Sequence, residues 1–212
     1  MTTIVTETVK CGCCGRKSRQ HGLGSTNQFG SPDLDLRPPP MARDTMDYWL
    51  QTCPKCGLVA EDLAAETAAV ADLVRADAYR RGGLDRAVPD LALTFLRRSM
   101  IVAARGEARQ AFRNVLSAAW VADDEGDADL ARLLRRMGAG RLGEVPDLGD
   151  EDRLQLADVL RRAGDFADAE RILSDLAART LPDPLPRLVA FERERAAAGD
   201  DGRFTVADAL RR

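Results

Sequence analysis

All five cysteines of the chain fall within its first 56 residues, as Cys11, Cys13, Cys14, Cys53 and Cys56. They form two hooks, Cys11-Gly12-Cys13-Cys14-Gly15 and Cys53-Pro54-Lys55-Cys56-Gly57, each of which reads Cys-x-x-Cys-Gly. Two residues between thiols let one tight turn aim both sulfurs at one point while backbone N–H groups inside the turn face them. Glycine after the second cysteine suits the positive φ that such a turn needs. Two hooks supply four thiolates, the donor set of a structural tetrahedral Zn²⁺ with bonds of about 2.3 Å. Cys11, Cys14, Cys53 and Cys56 are therefore the expected metal ligands. Cys13, which aligns with Lys55, is left over as an ordinary exposed thiol.

An odd cysteine count argues against a disulfide scaffold. Residues Met1 to Lys10 carry Glu7 and alternating threonines rather than the basic start and apolar run of a secretory signal. No uncharged apolar run approaches the roughly 18 residues of a membrane span. The expectation is a cytoplasmic protein with no membrane partner. The chain has 31 basic and 34 acidic residues, a balance that argues against a protein whose main task is to coat nucleic acid.

The hooks lie in a stretch unlike the rest. Residues 2–10 alternate β-branched and polar side chains, the period of a short strand. Residues 15–45 are rich in Gly, Pro, Ser and Asp and include Pro38-Pro39-Pro40, which forbids a helix. Residues 46–52 read as the strand that feeds the second hook. Residues 1–60 thus form a zinc-ribbon-like module whose small core depends on its ion. Beyond it the composition turns to Ala, Leu, Arg, Asp and Glu at helical spacing. Helices are expected over 61–81, 90–105, 107–124, 127–137, 150–163, 166–180, 184–198 and 204–211, with glycine or proline breaks between them. One of those breaks is Gly138-Ala139-Gly140. The expected fold class is α+β: short strands in the module, followed by an all-α domain over 61–212.

The helical part repeats itself. Ala119, Val121, Gly126, Asp127 and Ala131 recur as Ala157, Val159, Gly164, Asp165 and Ala169, an offset of 38 residues. The spacing of Leu156, Leu160, Gly164, Phe166, Ala169 and Pro182 resembles a tetratricopeptide unit, a helix–turn–helix that stacks into arrays. Together with the second hook, Asp33-Leu34-Asp35-Leu36-Arg37-Pro38, Tyr48 and the Gly164-Asp165 turn, this resembles an uncharacterised bacterial family that joins two Cys-x-x-Cys knuckles to a tetratricopeptide-like region. Gly12 stands where that family usually has proline, and Cys13 adds a thiol. The resemblance implies metal binding and the fold, and no activity.

Other constellations are weaker. Gly138 to Gly143 matches Gly-x-Gly-x-x-Gly but follows a helical run rather than a strand, so it lacks the setting of a dinucleotide loop. Asp123 to Asp129 is acidic but has glycine in the wrong place for an EF-hand. It reads as a solvated turn in which Asp127 or Asp129 starts the next helix. His21 is the single histidine, and a closed four-sulfur site leaves no position for an activated water.

The expectation is a non-enzymatic zinc protein whose helical repeats bind another protein in a groove. Arg97-Arg98, Arg135-Arg136 and Arg161-Arg162 are candidates to line that groove and meet an acidic partner. The alternatives are a nucleic-acid-associated zinc-ribbon factor, with Phe29, Tyr48 and Trp49 as stacking candidates, and a rubredoxin-like iron electron carrier.

Overall fold

In the computed structural model, which describes residues 1–211, each hook forms the turn of a β-hairpin. Strands β1 (Thr3–Lys10) and β2 (Lys17–Ser25) pair antiparallel around the first hook. Strands β3 (Gln51–Thr52) and β4 (Val59–Ala60) pair around the second. The Gln20 side chain donates to the Thr52 carbonyl and joins the two ribbons.

Strand β1 is where the alternation predicts it. Strand β2 is not: residues 15–45 read as irregular, because Lys17-Ser18-Arg19-Gln20-His21 has no apolar member to reveal its period. The strand expected over 46–52 is mostly a 3₁₀ turn, Arg43–Tyr48, with only Gln51–Thr52 extended. Three residues per turn bring Met46 and Trp49 to one side. There Met46 is buried, Trp49 meets Phe95 edge-on at 6.2 Å, and the indole N–H is satisfied by the Thr45 hydroxyl.

The long helix expected over 61–81 is likewise replaced by short pieces: a 3₁₀ turn at Ala68–Val70, then α1 (Ala71–Arg75) and α2 (Asp77–Arg80). Residues 61–67 stay irregular while their acids reach across to the next helix. Glu66, almost wholly buried, takes Arg98 and Arg105, and Glu61 also pairs with Arg98.

The remaining helices are α3 (Asp90–Ala104), α4 (Ala108–Asp124), α5 (Ala128–Gly143), α6 (Asp150–Arg162), α7 (Phe166–Ala177), α8 (Leu185–Ala197) and α9 (Val206–Leu210). Consecutive members pack against each other from α3 to α9. Four helices stop in one way: a glycine at positive φ (Gly106, Gly126, Gly164, Gly199) is followed by a residue whose N–H reaches five residues back. This is the Schellman termination, which only glycine enters without strain. Asp127 then caps α5 by accepting from Leu130 N–H, as the acidic turn suggests.

The break expected at Gly138-Ala139-Gly140 does not occur, since α5 runs on to Gly143. Gly138 has a helical backbone and serves proximity instead: a Cβ there would lie 3.4 Å from the Phe112 ring of α4. The stretch expected to bear dinucleotide-like glycines is thus simply the second half of a helix.

Residues 31–50, which sequence reasoning groups with the cysteine module, pack against the helices. Asp33 bridges to Thr205, and Leu34 N–H donates to the Phe204 carbonyl. Asp35 is fully buried. Its Oδ2 accepts from Arg162 Nη1 (2.6 Å) and Trp120 Nε1 (2.9 Å), and its carbonyl accepts from Gln155. Arg37 is buried and pairs with Asp124. This strap ties α4, α5, α6 and α9 to the start of the chain.

Burial corrects the expected role of four of the six paired arginines, leaving Arg97 half-buried and Arg136 exposed. Arg98, Arg135, Arg161 and Arg162 are buried, not presented to a partner. Arg135 and Arg162 both hold Asp123, and Arg161 holds Asp158 and Glu192. Accordingly, while Asp124, Glu125 and Asp129 of the same turn stay exposed as expected, Asp123 turns inward. Burial raises its carboxyl, but Arg135 and Arg162 outweigh that and hold it below the usual carboxylate range. Guanidinium groups buried in this way need carboxylates beside them, and the acidic turn supplies one.

Candidate metal centre

The two hooks converge. Cys11, Cys14, Cys53 and Cys56 place their sulfurs within 4.8 Å of one another, the one such cluster among the described residues. Each hook has the same internal bonding. Cys11 N–H donates to Arg16 O and Gly15 N–H to Cys11 O. In the second hook Cys53 N–H donates to Leu58 O and Gly57 N–H to Cys53 O. Gly15 and Gly57 adopt φ of 72° and 76°, so both turns use the positive-φ position that the Cys-x-x-Cys-Gly pattern reserves. Inside the turns, Cys13 and Cys14 N–H donate to the Cys11 sulfur, and Lys55 and Cys56 N–H to that of Cys53.

Across the hooks, Cys14 Sγ is 3.6 Å from Cys53 Sγ and Cys11 Sγ is 3.9 Å from Cys56 Sγ. A regular tetrahedron with metal–sulfur bonds of about 2.3 Å has sulfur–sulfur edges of about 3.8 Å. The separations fit an ion and are far from the roughly 2.05 Å of a disulfide. All five cysteines are free thiols. The four are thus positioned to hold a metal ion, with every donor a sulfur and no carboxylate or imidazole among them.

The electrostatics agree with that use. Burial raises Cys53, but N–H groups of Cys56 and Lys55 and the neighbouring thiols outweigh it and bring it from 9.0 to about 7. Burial and the crowding sulfurs push Cys56 far above the ordinary thiol range, and Cys11 moves the same way. The Cys53 thiolate forms readily while Cys11 and Cys56 resist, because burial and the neighbouring sulfurs disfavour further negative charge. A divalent cation held by Cys11, Cys14, Cys53 and Cys56 would remove the conflict by stabilising their thiolates.

The site is anchored from outside. Val9, Leu58, Leu63, Val70, Val74 and Ile101 pack around Cys11 and Cys53. Tyr79 of α2 donates its hydroxyl to Gly57 O and accepts from Val59 N–H, clamping the second hook to the helices. Burial raises that phenol well above its ordinary value. A Cβ at Gly12 would collide with the Glu66 carbonyl, which accounts for glycine in the first hook.

The remaining candidates lie apart from the cluster. Cys13 is half-buried at its edge. His21 is on β2, where its Nδ1 is 2.9 Å from the Thr6 hydroxyl. Of the aromatic stacking candidates, Trp49 packs on Phe95 while Phe29 is exposed. Sequence reasoning passed over Tyr79 and the acids of the strap as supports of the architecture. Tyr79 gives no signal of its own, and Asp33 and Asp35 look like surface residues until their arginines are placed. The chain matches no protein-family model, no curated protein and no solved structure.

Proposed function

We propose that this is a non-catalytic zinc protein of the cytoplasm, in which one structural Zn²⁺ on Cys11, Cys14, Cys53 and Cys56 fixes the module to a tetratricopeptide-like scaffold that binds another protein. The observation that carries the reading is the pair of cross-hook separations, 3.6 and 3.9 Å, on either side of a tetrahedral edge. Four thiolates, with no open coordination position, are the donor set of structural rather than catalytic zinc. A reducing compartment keeps such thiols available. Among the described residues no helix is long and apolar enough to cross a membrane.

The scaffold role is supported by a cleft of about 470 Å³ beside the strap. Trp49, Phe95 and Trp120 line it, Leu36 offers an exposed apolar side chain at positive φ, and Arg113 and Gln155 stand among its polar members. An apolar floor with a few directed polar groups suits a peptide segment of a partner.

Elemental analysis of the purified chain tests the metal: one zinc per chain is expected, with loss in Cys56→Ala. Stoichiometric iron with a visible absorption band would replace zinc by the electron-carrier reading, and neither metal would reject both. A photo-cross-linking side chain at Arg113 tests the cleft. Adducts to a second protein are expected there and not from the same side chain at Asp72.

A further inference from the structure

The β1–β2 ribbon has two unlike faces. Val9 and Gln20 are buried toward the module, so the face they share with Glu7 and Ser18 is the inner one. Alternation then assigns Thr6, Thr8 and Lys10 of β1, with Lys17, Arg19 and His21 of β2, to the outer face. The register agrees: Lys10 sits opposite Lys17, Thr8 opposite Arg19 and Thr6 opposite His21. The hydrogen-bond contact between Thr6 and His21 belongs to that face.

This face is charged in an unusual way. Along the helical part almost every arginine has a carboxylate partner, whereas no ion pair involves Lys10, Arg16, Lys17, Arg19 or Lys55 among the described residues. Like charges directly opposite on an antiparallel pair destabilise it, yet Lys10 and Lys17 are opposite and uncompensated. The ribbon's one acid, Glu7, lies on the other face. Even against the double negative charge of a tetrathiolate zinc, the five cations keep this end of the module positive.

The geometry points to a second binding site: the outer face of the β1–β2 ribbon lies in the major groove of duplex DNA and holds backbone phosphates through Lys10, Lys17 and Arg19. Two strands about 4.8 Å apart, with their side chains, fit a groove about 12 Å wide, which admits a two-stranded ribbon. Lys17 and Arg19 are two residues apart, or about 6.8 Å along the strand, and Lys10 stands across from them, so cations line both edges of the inserted face. The Thr8 hydroxyl opposite Arg19 and the His21 ring one step beyond it are groups that can meet base edges. The face has no Phe, Tyr or Trp, so it lacks the stacking platform that single strands use. The deep, narrow major groove of A-form RNA excludes a ribbon of this width.

Three phosphate contacts set the expected salt dependence. Log affinity falls with log salt at a slope of about −0.9 per contact, so raising salt from 50 to 200 mM weakens binding about 40-fold. The test is fluorescence anisotropy of a labelled 20-base-pair DNA duplex with the full zinc-loaded chain. The same sequence as a single strand, the same sequence as duplex RNA, and phosphatidylserine vesicles are run in parallel. Binding to duplex DNA ahead of the other three is expected, with that salt response.

The variant Lys10→Gln/Lys17→Gln/Arg19→Gln should lose at least about ten-fold in affinity and most of the slope, while Glu7→Gln leaves both unchanged. The substituted side chains are exposed, and circular dichroism with zinc content verifies that the variant is folded. No duplex binding at 50 mM salt, equal binding by the triple variant, or preference for single strands, RNA or vesicles would each overturn the proposal. None of these outcomes bears on the cleft or on the identity of the metal.

Discussion

Replacing Asp35 by asparagine tests the claim that the strap is part of the helical core. Asp35 has no exposed surface, and its Oδ2 faces Arg162 at 2.6 Å, Trp120 Nε1 at 2.9 Å and Arg135 at 3.5 Å. With Asp123 it balances the charges of Arg135 and Arg162. The amide removes one negative charge from that set and leaves a positive charge buried without its partner. It also puts an N–H₂ group in competition with the donors already converging there. Breaking one partner of a buried ionic set costs about 3–5 kcal/mol. For a chain of this length each kcal/mol moves the melting temperature by about 2–4 °C, so Asp35→Asn should lower Tm by about 10 °C. The assay is thermal unfolding with excess zinc present. Trypsin adds a local readout, since Arg43, half-buried in the strap with its guanidinium on Asp33 and the Pro38 carbonyl, becomes cleavable once the strap lifts. Asp72→Asn, which breaks only an exposed pair with Arg75, is the control and should move Tm by no more than about 1 °C. A shift for Asp35→Asn as small as the control's, with Arg43 still protected, would refute the assignment of Asp35 as the centre of a buried network.

If zinc occupies the four sulfurs as proposed, its removal with a chelator should abolish the β3–β4 hairpin and expose Tyr79, read as a change in tyrosine fluorescence, while far-ultraviolet helical signal is largely retained. Full unfolding would show that the helices depend on the ion. Gly140→Ala meets no atom within 4 Å inside a helix and should stabilise by about 0.5–1 kcal/mol in urea unfolding. Gly126→Ala, at a φ of 75°, should destabilise by about 1–2 kcal/mol. Opposite signs at these two positions check the helix boundaries. Burial raises Glu192 to about 9, the nearby Asp158 adding to the effect and Arg161 opposing it. The folded state therefore holds a proton that the unfolded state has released. That contribution is present at about pH 5 and is lost as the pH rises toward about 9. Glu192→Gln should flatten this alkaline decline in a Tm–pH series, and an unchanged slope would assign the titration elsewhere.

The four-cysteine cluster was legible because its geometry is local. A Cys-x-x-Cys-Gly hook closes within one turn, and only the approach of two hooks needed the rest of the fold. Most helices were legible for the same reason, since glycine terminations and apolar spacing act within a few residues. What failed depends on distant partners. Gly138 resembles a helix stop until Phe112 stands beside it. Residues 61–67 have helical composition, but Glu61 and Glu66 are drawn to Arg98 and Arg105. Strand β2 has no apolar alternation, because its outer face is solvated and polar residues occupy most of its inner face. The arginine pairs looked available because sequence gives charge without burial. Apart from β2, each of these misreadings comes down to a side chain whose neighbour lies far along the chain.

Residues 31–37 complete their bonds only with groups that the ribosome delivers much later: Trp120, then Arg162, and finally Phe204 and Val206, whose N–H donates to the Pro32 carbonyl. Loop closure over such distances is slow compared with hairpin or helix formation. During synthesis the cysteine hooks can therefore meet early, while the segment between them waits, open to proteases, until residues as far along as Val206 have emerged. Its protection from cleavage at Arg43 would serve as a clock for the last step of folding.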